Sequence, residues 1–363
     1  MKIQIDRDTL LQPLQTVIGV ISVKPSLPIL SNVLVNIKPQ KLTITGTDTE
    51  VELVGHAITP LPDTDVLLTL PGKKLADVLR TLPENAPIEL YQQKERITLT
   101  SGKSRFTLST LPAEDFPSFD KNSCQYSFDI PQNKLKNLLT QTQFAMAQQD
   151  VRYYLNGILL EFNPDHIKAV ATDGHRLAYA CIEFNTQVAA RSQIIVPRKA
   201  ATELIRLLQL TEDTVRLDIG THFIDVTGSG FNFTSKLVEG RFPDYNRVIP
   251  KNNQTKILIN REFMQNILHR VAIVSGESVR LAFKPNMLHA YAETKTENAE
   301  DDLIIEFSGE PFNIAFNTHY LLDAINNIQS EEIEMCLAGP DASALITEPG
   351  KLDVQYVVMP LRL

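Results

Sequence analysis

The sequence has no tryptophan and only three cysteines, Cys124, Cys181 and Cys336, which lie far apart and form no Cys-x-x-Cys pair. This pattern argues against a disulfide framework or a cysteine-rich metal site and fits a reducing compartment. No apolar run approaches the roughly 18 residues of a membrane helix, and the acidic, alternating N-terminus is unlike a signal peptide. We therefore expect a cytoplasmic protein that has no contact with a membrane.

Signatures of nucleotide and metal sites are also missing. Gly102-Lys103-Ser104 looks like the end of a phosphate-binding loop, but Ile97 stands where that loop needs a glycine, which favours a basic turn between strands. Gly228-Ser229-Gly230 begins a dinucleotide pattern, but Phe233 replaces its third glycine and favours a hairpin turn. The seven histidines include no close pair of metal ligands. We expect neither a cofactor nor a metal.

The densest polar cluster is Asp173-Gly174-His175-Arg176. Its Asp-His neighbourhood suggests a hydrolase, yet no serine or cysteine lies on a strand-to-helix elbow that would supply a nucleophile. We interpret the cluster as a turn that carries recognition groups. An enzyme that uses Asp173 and His175 remains the alternative.

The chain has the composition of a folded, soluble protein, with 43% hydrophobic and 21% charged residues among 363. This length predicts two or three domains. A strand that leads into an amphipathic helix recurs three times and aligns three sets of apolar residues: Ile5, Ile130 and Ile259; Leu10, Leu135 and Met264; Leu14, Leu139 and Leu268. A second helix follows in each copy and aligns Pro71, Pro197 and Asn317.

Shorter markers keep the same phase between the first two copies: Thr47-Asp48 aligns with Thr172-Asp173, and Phe116-Pro117 with Phe242-Pro243. The fold class is therefore α+β, with three repeated domains that each pack two helices on antiparallel sheets. We expect the domains over 1–122, 126–245 and 246–363, and helices over 7–19, 71–81, 132–149, 197–209, 261–275 and 317–329. Pro13 predicts a bent or split first helix.

Positive charge is concentrated on the predicted helices. They carry 11 Lys or Arg against 5 Asp or Glu, a net of +6, which leaves −14 for the rest of a chain whose net charge is −8. A basic helical surface within an acidic body suits a polyanion held through its phosphates. The helices offer no aromatic ladder for unpaired bases, so duplex is favoured over single strands.

Opposite ends of the chain carry opposite charge. The first repeat carries a group of basic residues and the third repeat a group of acidic residues. Such complementary charge permits head-to-tail association into a ring. The basic set is Lys74, Arg96, Lys103 and Arg105, the acidic set is Glu297, Glu300, Asp301 and Asp302, and Phe106, Leu108, Ile273 and Val274 offer an apolar centre.

Several long motifs resemble the bacterial DNA polymerase III beta subunit family, the sliding clamps, and the resemblance covers all 363 residues. They are LPILSNVLV from Leu27, RFTLSTLPAEDFP from Arg105, QDVRYYLNGILLEF from Gln149, ATDGHRLA from Ala171, TSKLVEGRFPDYNRVIP from Thr234 and YVVMPLRL from Tyr356. The resemblance implies the DNA clamp fold and a head-to-tail homodimer, a ring of six domains. Such a ring slides on duplex DNA as a processivity factor, without catalysis and without a cofactor.

The resemblance also implies two sets of binding residues. The DNA-contacting set is Lys24, Arg80, Gln149, Arg152, Tyr153, Tyr154, Arg198 and Lys199. A pocket for partner peptides would use Leu155, Thr172, Gly174, His175, Arg176, Leu177, Pro243, Arg247, Val248, Ser343, Val357, Val358, Met359, Pro360 and Leu361. Its implied partners are the DNA polymerase III alpha subunit, the clamp loader, other DNA polymerases and repair or replication-control proteins.

The sequence departs from the family pattern in the acidic segment after Tyr291 and in the loop from Lys251 to Lys256. The resemblance therefore does not assign the residues that form individual ion pairs across the dimer. Leu361 stands where some members have methionine, and Lys24 where some have arginine. A β-rich interaction module that never meets DNA is the remaining alternative.

Overall fold

A computed structural model describes residues 2–22, 25–58, 65–119, 124–186, 188–251, 253, 255–275 and 277–362. Its helices are α1 (Arg7–Val17), α2 (Gly72–Thr81), α3 (Gln132–Gln143), α4 (Arg198–Leu207), α5 (Arg261–Ser275) and α6 (Thr318–Asn326). The first twelve strands are β1 (Lys2–Asp6), β2 (Asn32–Lys38), β3 (Lys41–Thr47), β4 (Val51–Ala57), β5 (Val66–Pro71), β6 (Pro87–Gln93), β7 (Arg96–Ser101), β8 (Ser104–Ser109), β9 (Cys124–Pro131), β10 (Gly157–Phe162), β11 (His166–Thr172) and β12 (Arg176–Glu183). The others are β13 (Ser192–Pro197), β14 (Thr214–Gly220), β15 (Phe223–Gly228), β16 (Phe231–Lys236), β17 (Thr255–Asn260), β18 (Ser278–Lys284), β19 (Met287–Glu293), β20 (Asn298–Ile304), β21 (Phe312–Asn317), β22 (Glu332–Leu337), β23 (Ala344–Thr347) and β24 (Val354–Val358).

The chain forms two compact units. Unit 1 comprises residues 1–135 and 202–237, and unit 2 comprises residues 136–201 and 238–363. Unit 1 contains an eight-stranded sheet in the order β5-β2-β3-β4-β16-β15-β14-β9 and a four-stranded sheet in the order β1-β6-β7-β8. Unit 2 contains the eight-stranded sheet β13-β10-β11-β12-β24-β23-β22-β17 and the four-stranded sheet β20-β19-β18-β21. All of these strand pairs are antiparallel, as the repeats predict.

The apolar positions that align between the repeats are core positions. Each of the nine residues is buried: Ile5, Leu10, Leu14, Ile130, Leu135, Leu139, Ile259, Met264 and Leu268. Because helical residues at i and i+4 share a face, each first helix turns the same stripe toward its sheet. The three-fold repeat is therefore confirmed in the packing.

The predicted split of the first helix is wrong. α1 runs without interruption from Arg7 to Val17, with Pro13 buried inside it. Gly55 on β4 makes this packing possible, since a Cβ atom there would lie 2.4 Å from the carbonyl oxygen of Pro13. Close contact with β4 compensates for the hydrogen bond that the proline cannot donate.

The third predicted helix is too long, because α3 ends at Gln143 rather than at residue 149. Gln149 has a φ of +57°, a left-handed conformation that no α-helix continues through. The carbonyl oxygens of Phe144 and Met146 instead accept hydrogen bonds from Arg176 and Arg198. The segment after α3 therefore forms part of a cleft.

Both predicted turns in the near-miss motifs are confirmed. Gly102 and Lys103 connect β7 to β8 with a φ of +56° at Gly102, and Ser229 and Gly230 connect β15 to β16 with a φ of +84° at Gly230. Two-residue turns of this kind favour glycine, since positive φ is costly for other residues.

The aligned Thr-Asp pairs build the same turn in both units. Thr47 Oγ1 donates to the carbonyl of Val51, and Thr172 Oγ1 donates to that of Arg176. Asp48 Oδ1 accepts two backbone N–H groups that follow it, and Asp173 Oδ1 does the same. In unit 2 this turn presents His175 and Arg176.

Candidate functional site

A cleft of about 460 Å³ in unit 2 collects polar residues from five segments. The segment after α3, the loop that precedes β10, the Asp173–Arg176 turn and the first residues of α4 and α6 meet there. Its lining residues are Phe144, Met146, Ala147, Gln148, Gln149, Asp150, Arg152, Asp173, His175, Arg176, Arg198 and Tyr320. The cleft thus brings together residues predicted for DNA, Gln149, Arg152 and Arg198, with residues predicted for peptide, His175 and Arg176.

Arg176 connects three of these segments, and its side chain is only 12% exposed. Its guanidinium donates to Asp173 Oδ2 at 3.0 Å, to Asp323 Oδ2 at 2.5 Å and to the carbonyl of Phe144 at 2.6 Å. The ring of Tyr320 stacks below it, with its centroid 4.4 Å from Cζ. Since arginine offers a planar fork of donors, it can satisfy all of these partners at once.

Arg152 is held by a neighbouring acid. Its Nε and Nη2 atoms donate to the two carboxylate oxygens of Asp150 at 3.0 and 2.8 Å. These bonds lower the pKa of Asp150 to about 2 and raise the pKa of Arg152. Nη2 also lies 3.4 Å from the carbonyl oxygen of Asp173, and a Cβ at Gly174 would come within 3.2 Å of it. Arg152 therefore packs against the turn that presents His175.

An apolar cluster in the same unit contains several of the predicted pocket residues. Leu155, Leu177 and Val357 belong to it and are nearly fully buried, and Val248 packs against it. Phe242 and Tyr245 enter the cluster from the segment between β16 and β17. Buried residues of this kind shape the floor of a site rather than its open surface.

Other predicted pocket residues are accessible. His175, Pro243, Arg247, Met359 and Leu361 are exposed. Gly174, Thr172, Ser343 and Pro360 are half-buried, whereas Val358 is buried. Met359 N donates to the carbonyl of His175 at 2.9 Å, so the last strand reaches the turn.

The two four-stranded sheets expose edges of opposite charge. β8 is the last strand of its sheet in unit 1 and carries Arg105, while Arg96 and Lys103 flank its hairpin. β20 is the last strand of its sheet in unit 2 and carries Glu300, Asp301 and Asp302. An edge strand has unused backbone donors and acceptors and so can pair with another strand.

Three family models cover the chain in order. The N-terminal, central and C-terminal domains of the DNA polymerase III beta subunit match residues 1–120, 129–244 and 246–362. The chain belongs to the DNA polymerase III beta subunit family. It therefore consists of three clamp domains, with six described helices on antiparallel sheets.

Relatives and solved structures agree with this assignment. The beta sliding clamp of Escherichia coli (strain K12) is 41% identical over 367 residues, with 100% of both chains covered. The crystal structure of the subunit from Pseudomonas aeruginosa is 42% identical, covers 100% of both chains and superimposes with a TM-score of 0.96. A second structure of the Pseudomonas aeruginosa clamp, bound to griselimycin, is also 42% identical over both full chains, with a TM-score of 0.95.

As a sliding clamp, the protein is a non-catalytic processivity factor of DNA polymerase. The enzyme alternative was wrong, and the geometry around His175 agrees with its rejection. The carboxylate of Asp173 accepts from the backbone and from Arg176, while the His175 ring stacks on Tyr320 at 6.4 Å. Asp173 therefore does not orient this imidazole as a general base would require.

The sliding clamp places most of its predicted DNA residues on accessible surface. Arg80 lies on α2 with its side chain 47% exposed and an ion pair to Asp77 at 3.3 Å. Gln149, Arg152, Tyr153 and Lys199 are exposed, whereas Tyr154 and Arg198 are half-buried. Lys24 lies outside the described residues.

Sequence reasoning missed three residues that build the cleft, Phe144, Tyr320 and Asp323. Phe144 was assigned to a helix, and Tyr320 and Asp323 lie on α6, which is 140 or more residues from the turn in sequence. No local signal connects them with Arg176. A cavity of about 870 Å³ in unit 1 includes Asp8, Lys41 and His56 and none of the predicted site residues.

Among the described residues, no group of three or more His, Cys, Asp or Glu side chains is arranged to hold a metal ion. Within the same ranges, no helix is long and apolar enough to cross a membrane.

Proposed function

We propose that two chains pair head to tail into a ring that encircles duplex DNA. The order of the strands carries this proposal. Each eight-stranded sheet joins two four-stranded halves, β9-β14-β15-β16 with β4-β3-β2-β5 and β17-β22-β23-β24 with β12-β11-β10-β13. The four-stranded sheets β1-β6-β7-β8 and β20-β19-β18-β21 have the same strand order as these halves, but neither is joined to a second half. Pairing of β8 with β20 of a second chain would complete a third sheet of eight strands.

The repeat also supplies a register for this pairing. Ser104 and Phe231 are equivalent positions of two repeats, because each begins a strand after a two-residue turn. Asn298 and Glu52 are equivalent in the same way, because each follows a four-residue turn. In unit 1, Asn232 pairs with Val54, and Phe233 with Leu53.

By equivalence, Arg105 lies opposite the partner's Glu300, and Phe106 lies opposite the partner's Ala299. An aromatic side chain occupies the place of Phe106 at both internal junctions, as Phe233 and Tyr356, which are both buried. Oppositely charged residues on facing strands stabilise such pairing and disfavour the like-charged alternatives. The other members of the predicted interface, Lys74, Arg96, Lys103, Leu108, Ile273, Val274, Glu297 and Asp301, belong to the same proposal.

Contacts with DNA would come from the helices and the loops beside them. With the observed helix bounds, the six helices still carry 11 Lys or Arg against 5 Asp or Glu. We assign phosphate contacts to Lys24, Arg80, Arg152, Arg198 and Lys199, and weaker polar contacts to Gln149, Tyr153 and Tyr154. Contacts with phosphates carry no sequence information, so a ring held by them slides.

Partner peptides would dock in unit 2, where the apolar cluster meets the polar cleft. Val248 and Met359 would contact apolar side chains of the peptide above a buried floor of Leu155, Leu177 and Val357, and methionine and aliphatic groups adapt to varied ligands. His175 and Arg247 lie at the exposed rim, while Thr172 and Arg176, whose polar atoms have internal partners, would set the shape of the turn. The remaining predicted members are Gly174, Pro243, Ser343, Val358, Pro360 and Leu361.

The docked proteins would be the DNA polymerase III alpha subunit, the clamp loader, other DNA polymerases and repair or replication-control proteins. The proposal retains the domain boundaries 1–122, 126–245 and 246–363. It also places the protein in the cytoplasm, where the DNA that it would encircle lies.

Retention on DNA tests the ring. The chain is loaded onto circular duplex DNA by a clamp loader and ATP, and half of the sample is then linearised by one cut. A closed ring stays on the circle and slides off the linear ends, whereas a surface-bound protein stays equally on both. Equal retention would overturn the encircling mechanism, even though the family assignment would stand.

A further inference from the structure

Glu161 is a buried acid that neither the DNA contacts nor the peptide contacts use. It lies on β10 with its side chain only 3% exposed. Removing a carboxylate from water is costly unless hydrogen bonds and opposite charge compensate. A carboxylate as buried as that of Glu161 therefore needs hydrogen-bond donors and positive charge around it.

Four of its partners belong to the same sheet and the loops around it. Arg191 Nη2 donates to Glu161 Oε2 at 2.6 Å, and Gln193 Nε2 donates to the same oxygen at 2.8 Å. Asn163 Nδ2 donates to Oε1 at 3.2 Å, and Lys168 Nζ lies 3.7 Å from Oε1. These groups already neutralise the carboxylate and hold it in place.

The fifth partner comes from a different segment. The hydroxyl of Tyr245 donates to Glu161 Oε2 at 3.2 Å. Tyr245 is 3% exposed, its ring lies 6.0 Å from that of Tyr179, and it belongs to the apolar cluster that contains Leu155, Leu177 and Val357. One tyrosine thus joins the buried acid to the cluster that would form the floor of the peptide cleft.

Tyr245 also begins the turn that carries predicted peptide contacts. Its carbonyl accepts the N–H groups of Val248 at 3.0 Å and Ile249 at 3.2 Å. Pro243 and Arg247 lie on either side of it and are exposed. In the described part of the segment between β16 and β17, which leaves out residues 252 and 254, the turn over Tyr245–Arg247 is the only regular structure. Side-chain contacts such as that of Tyr245 therefore help to determine where this part of the chain lies.

We propose that Glu161 is a positioning residue of the peptide cleft, which acts through the Tyr245 hydroxyl to hold Pro243, Arg247 and Val248 at the cleft wall. This inference rests on the proposed peptide-docking function. The carboxylate touches no peptide itself. It fixes one end of the turn, so that less conformational freedom is lost when a peptide binds.

Two substitutions test the proposal. Tyr245→Phe removes one hydroxyl and keeps the ring in the core, and Glu161→Gln keeps the shape but removes the charge. The matched control is Thr69→Val in unit 1, which removes a fully buried hydroxyl that bonds the carbonyl of Leu111. The probe is a synthetic peptide with the clamp-binding segment of the polymerase alpha subunit, and its Kd is measured by calorimetry on the full-length chain.

We expect Tyr245→Phe and Glu161→Gln to raise this Kd about 5- to 10-fold, which is less than the full effect of losing a hydrogen bond to a charged group, because the bond is lost to the turn and not to the peptide. Thr69→Val should leave it unchanged, and all three variants should keep their retention on circular DNA. Combining Tyr245→Phe with Val248→Ala should cost less than the product of the two single effects, because both act on the same turn.

A fluorescence measurement separates positioning from a general loss of stability. The chain has no tryptophan, so Asn246→Trp, at an exposed position of the turn, places a single reporter there. Tyr245→Phe should lower the fluorescence anisotropy of this reporter at temperatures well below unfolding. Unchanged anisotropy together with an unchanged Kd would overturn the proposal.

The outcomes separate this inference from the function on which it rests. If the unaltered chain binds no peptide, the docking function fails and the inference fails with it. If the unaltered chain binds and both variants bind equally well, only the role of Glu161 is overturned. Should Glu161→Gln fail to fold, Tyr245→Phe decides alone, because it leaves the carboxylate and its four nearby partners intact.

Discussion

Thr49 and Gly174 hold the same place in the two equivalent turns, with φ angles of +77° and +92°. Each donates its backbone N–H to the threonine two residues earlier, at 3.0 Å to Thr47 Oγ1 and at 3.1 Å to Thr172 Oγ1. Positive φ suits glycine, but in a β-branched residue it is a strained conformation. The turn in unit 1 is therefore strained at Thr49, whereas the turn in unit 2 has glycine at this place and avoids the strain.

Replacing Thr49 by glycine should stabilise unit 1. The substitution relieves about 1 to 2 kcal/mol of left-handed strain and loses part of this gain to the greater freedom of glycine in the unfolded chain. We expect a net gain of about 0.5 to 1 kcal/mol, seen as a higher urea midpoint with an unchanged slope. The reverse change, Gly174→Thr, should destabilise unit 2, since its Cβ would also crowd Arg152. A lower midpoint for Thr49→Gly would contradict the strain argument.

Replacing Asp150 by asparagine should increase the affinity of the protein for DNA. Asp150 accepts hydrogen bonds from two of the three guanidinium nitrogens of Arg152, Nε and Nη2, and asparagine keeps the shape but removes the charge. We expect about 3- to 10-fold tighter binding to linear duplex at low salt, and a slope of log K against log salt that is steeper by about one.

The control for this experiment is Asp165→Asn, which removes the same charge from an exposed carboxylate that lies 2.6 Å from His166 Nδ1. Binding to a labelled duplex is followed by fluorescence anisotropy at several salt concentrations. If both variants change affinity equally, net charge rather than release of Arg152 explains the effect.

The repeated architecture could be predicted from sequence because it depends on local spacing. Apolar residues at helical intervals and threonine-aspartate pairs recur at nearly constant offsets, and they mark the helix faces and turns that fold identically in both units. The end of α3 could not be predicted in this way. Gln148 and Gln149 suit a helix, but groups distant in sequence hold the segment after Gln143 in another conformation. Arg176 and Arg198 donate hydrogen bonds to the carbonyl oxygens of Phe144 and Met146.

The cleft depends even more on residues that are distant in sequence. Family motifs identified His175 and Arg176, but Tyr320 and Asp323 reach Arg176 only through the folding of α6. The two strands that pair at the centre of each eight-stranded sheet explain why the apolar floor occurs in unit 2. Where Leu177 pairs with Val357, the equivalent strands of unit 1 pair Glu52 with Thr234. The turn is repeated, but the apolar floor beside it is not.

Charge reversal should test the ring interface directly. Arg105→Glu or Glu300→Arg alone would place like charges opposite each other on the pairing strands, and we expect each to weaken the dimer at least about 10-fold. The double variant restores the opposite charges and should recover most of the affinity. Dimer dissociation is measured by analytical ultracentrifugation, with Lys41→Glu as a control on an exposed residue outside both edge strands. Failure of the double variant to recover would disprove the proposed register.

The pH dependence of stability should reveal the anchor at Glu161. Burial raises the pKa of its carboxyl, but the hydrogen bonds from Arg191, Asn163 and Gln193 outweigh burial and leave the pKa below its ordinary value of 4.5. A depressed pKa in the folded state means that the unfolded chain binds a proton first as the pH falls. The stabilisation is therefore fully present above pH 4.5 and is lost as the pH falls through the pKa of the folded state.

Glu161→Gln removes this titration and leaves the other acids of the chain unchanged. Because several other carboxyls, such as Asp150 and Glu348, also have lowered pKa values, both proteins should lose stability in acid. The difference between their urea midpoints is the informative quantity. It should be constant above about pH 5 and should shrink as the pH falls below 4.5, since protonated Glu161 and glutamine are both uncharged. A difference that stays constant down to the acid limit would show that the charge of Glu161 does not stabilise the fold.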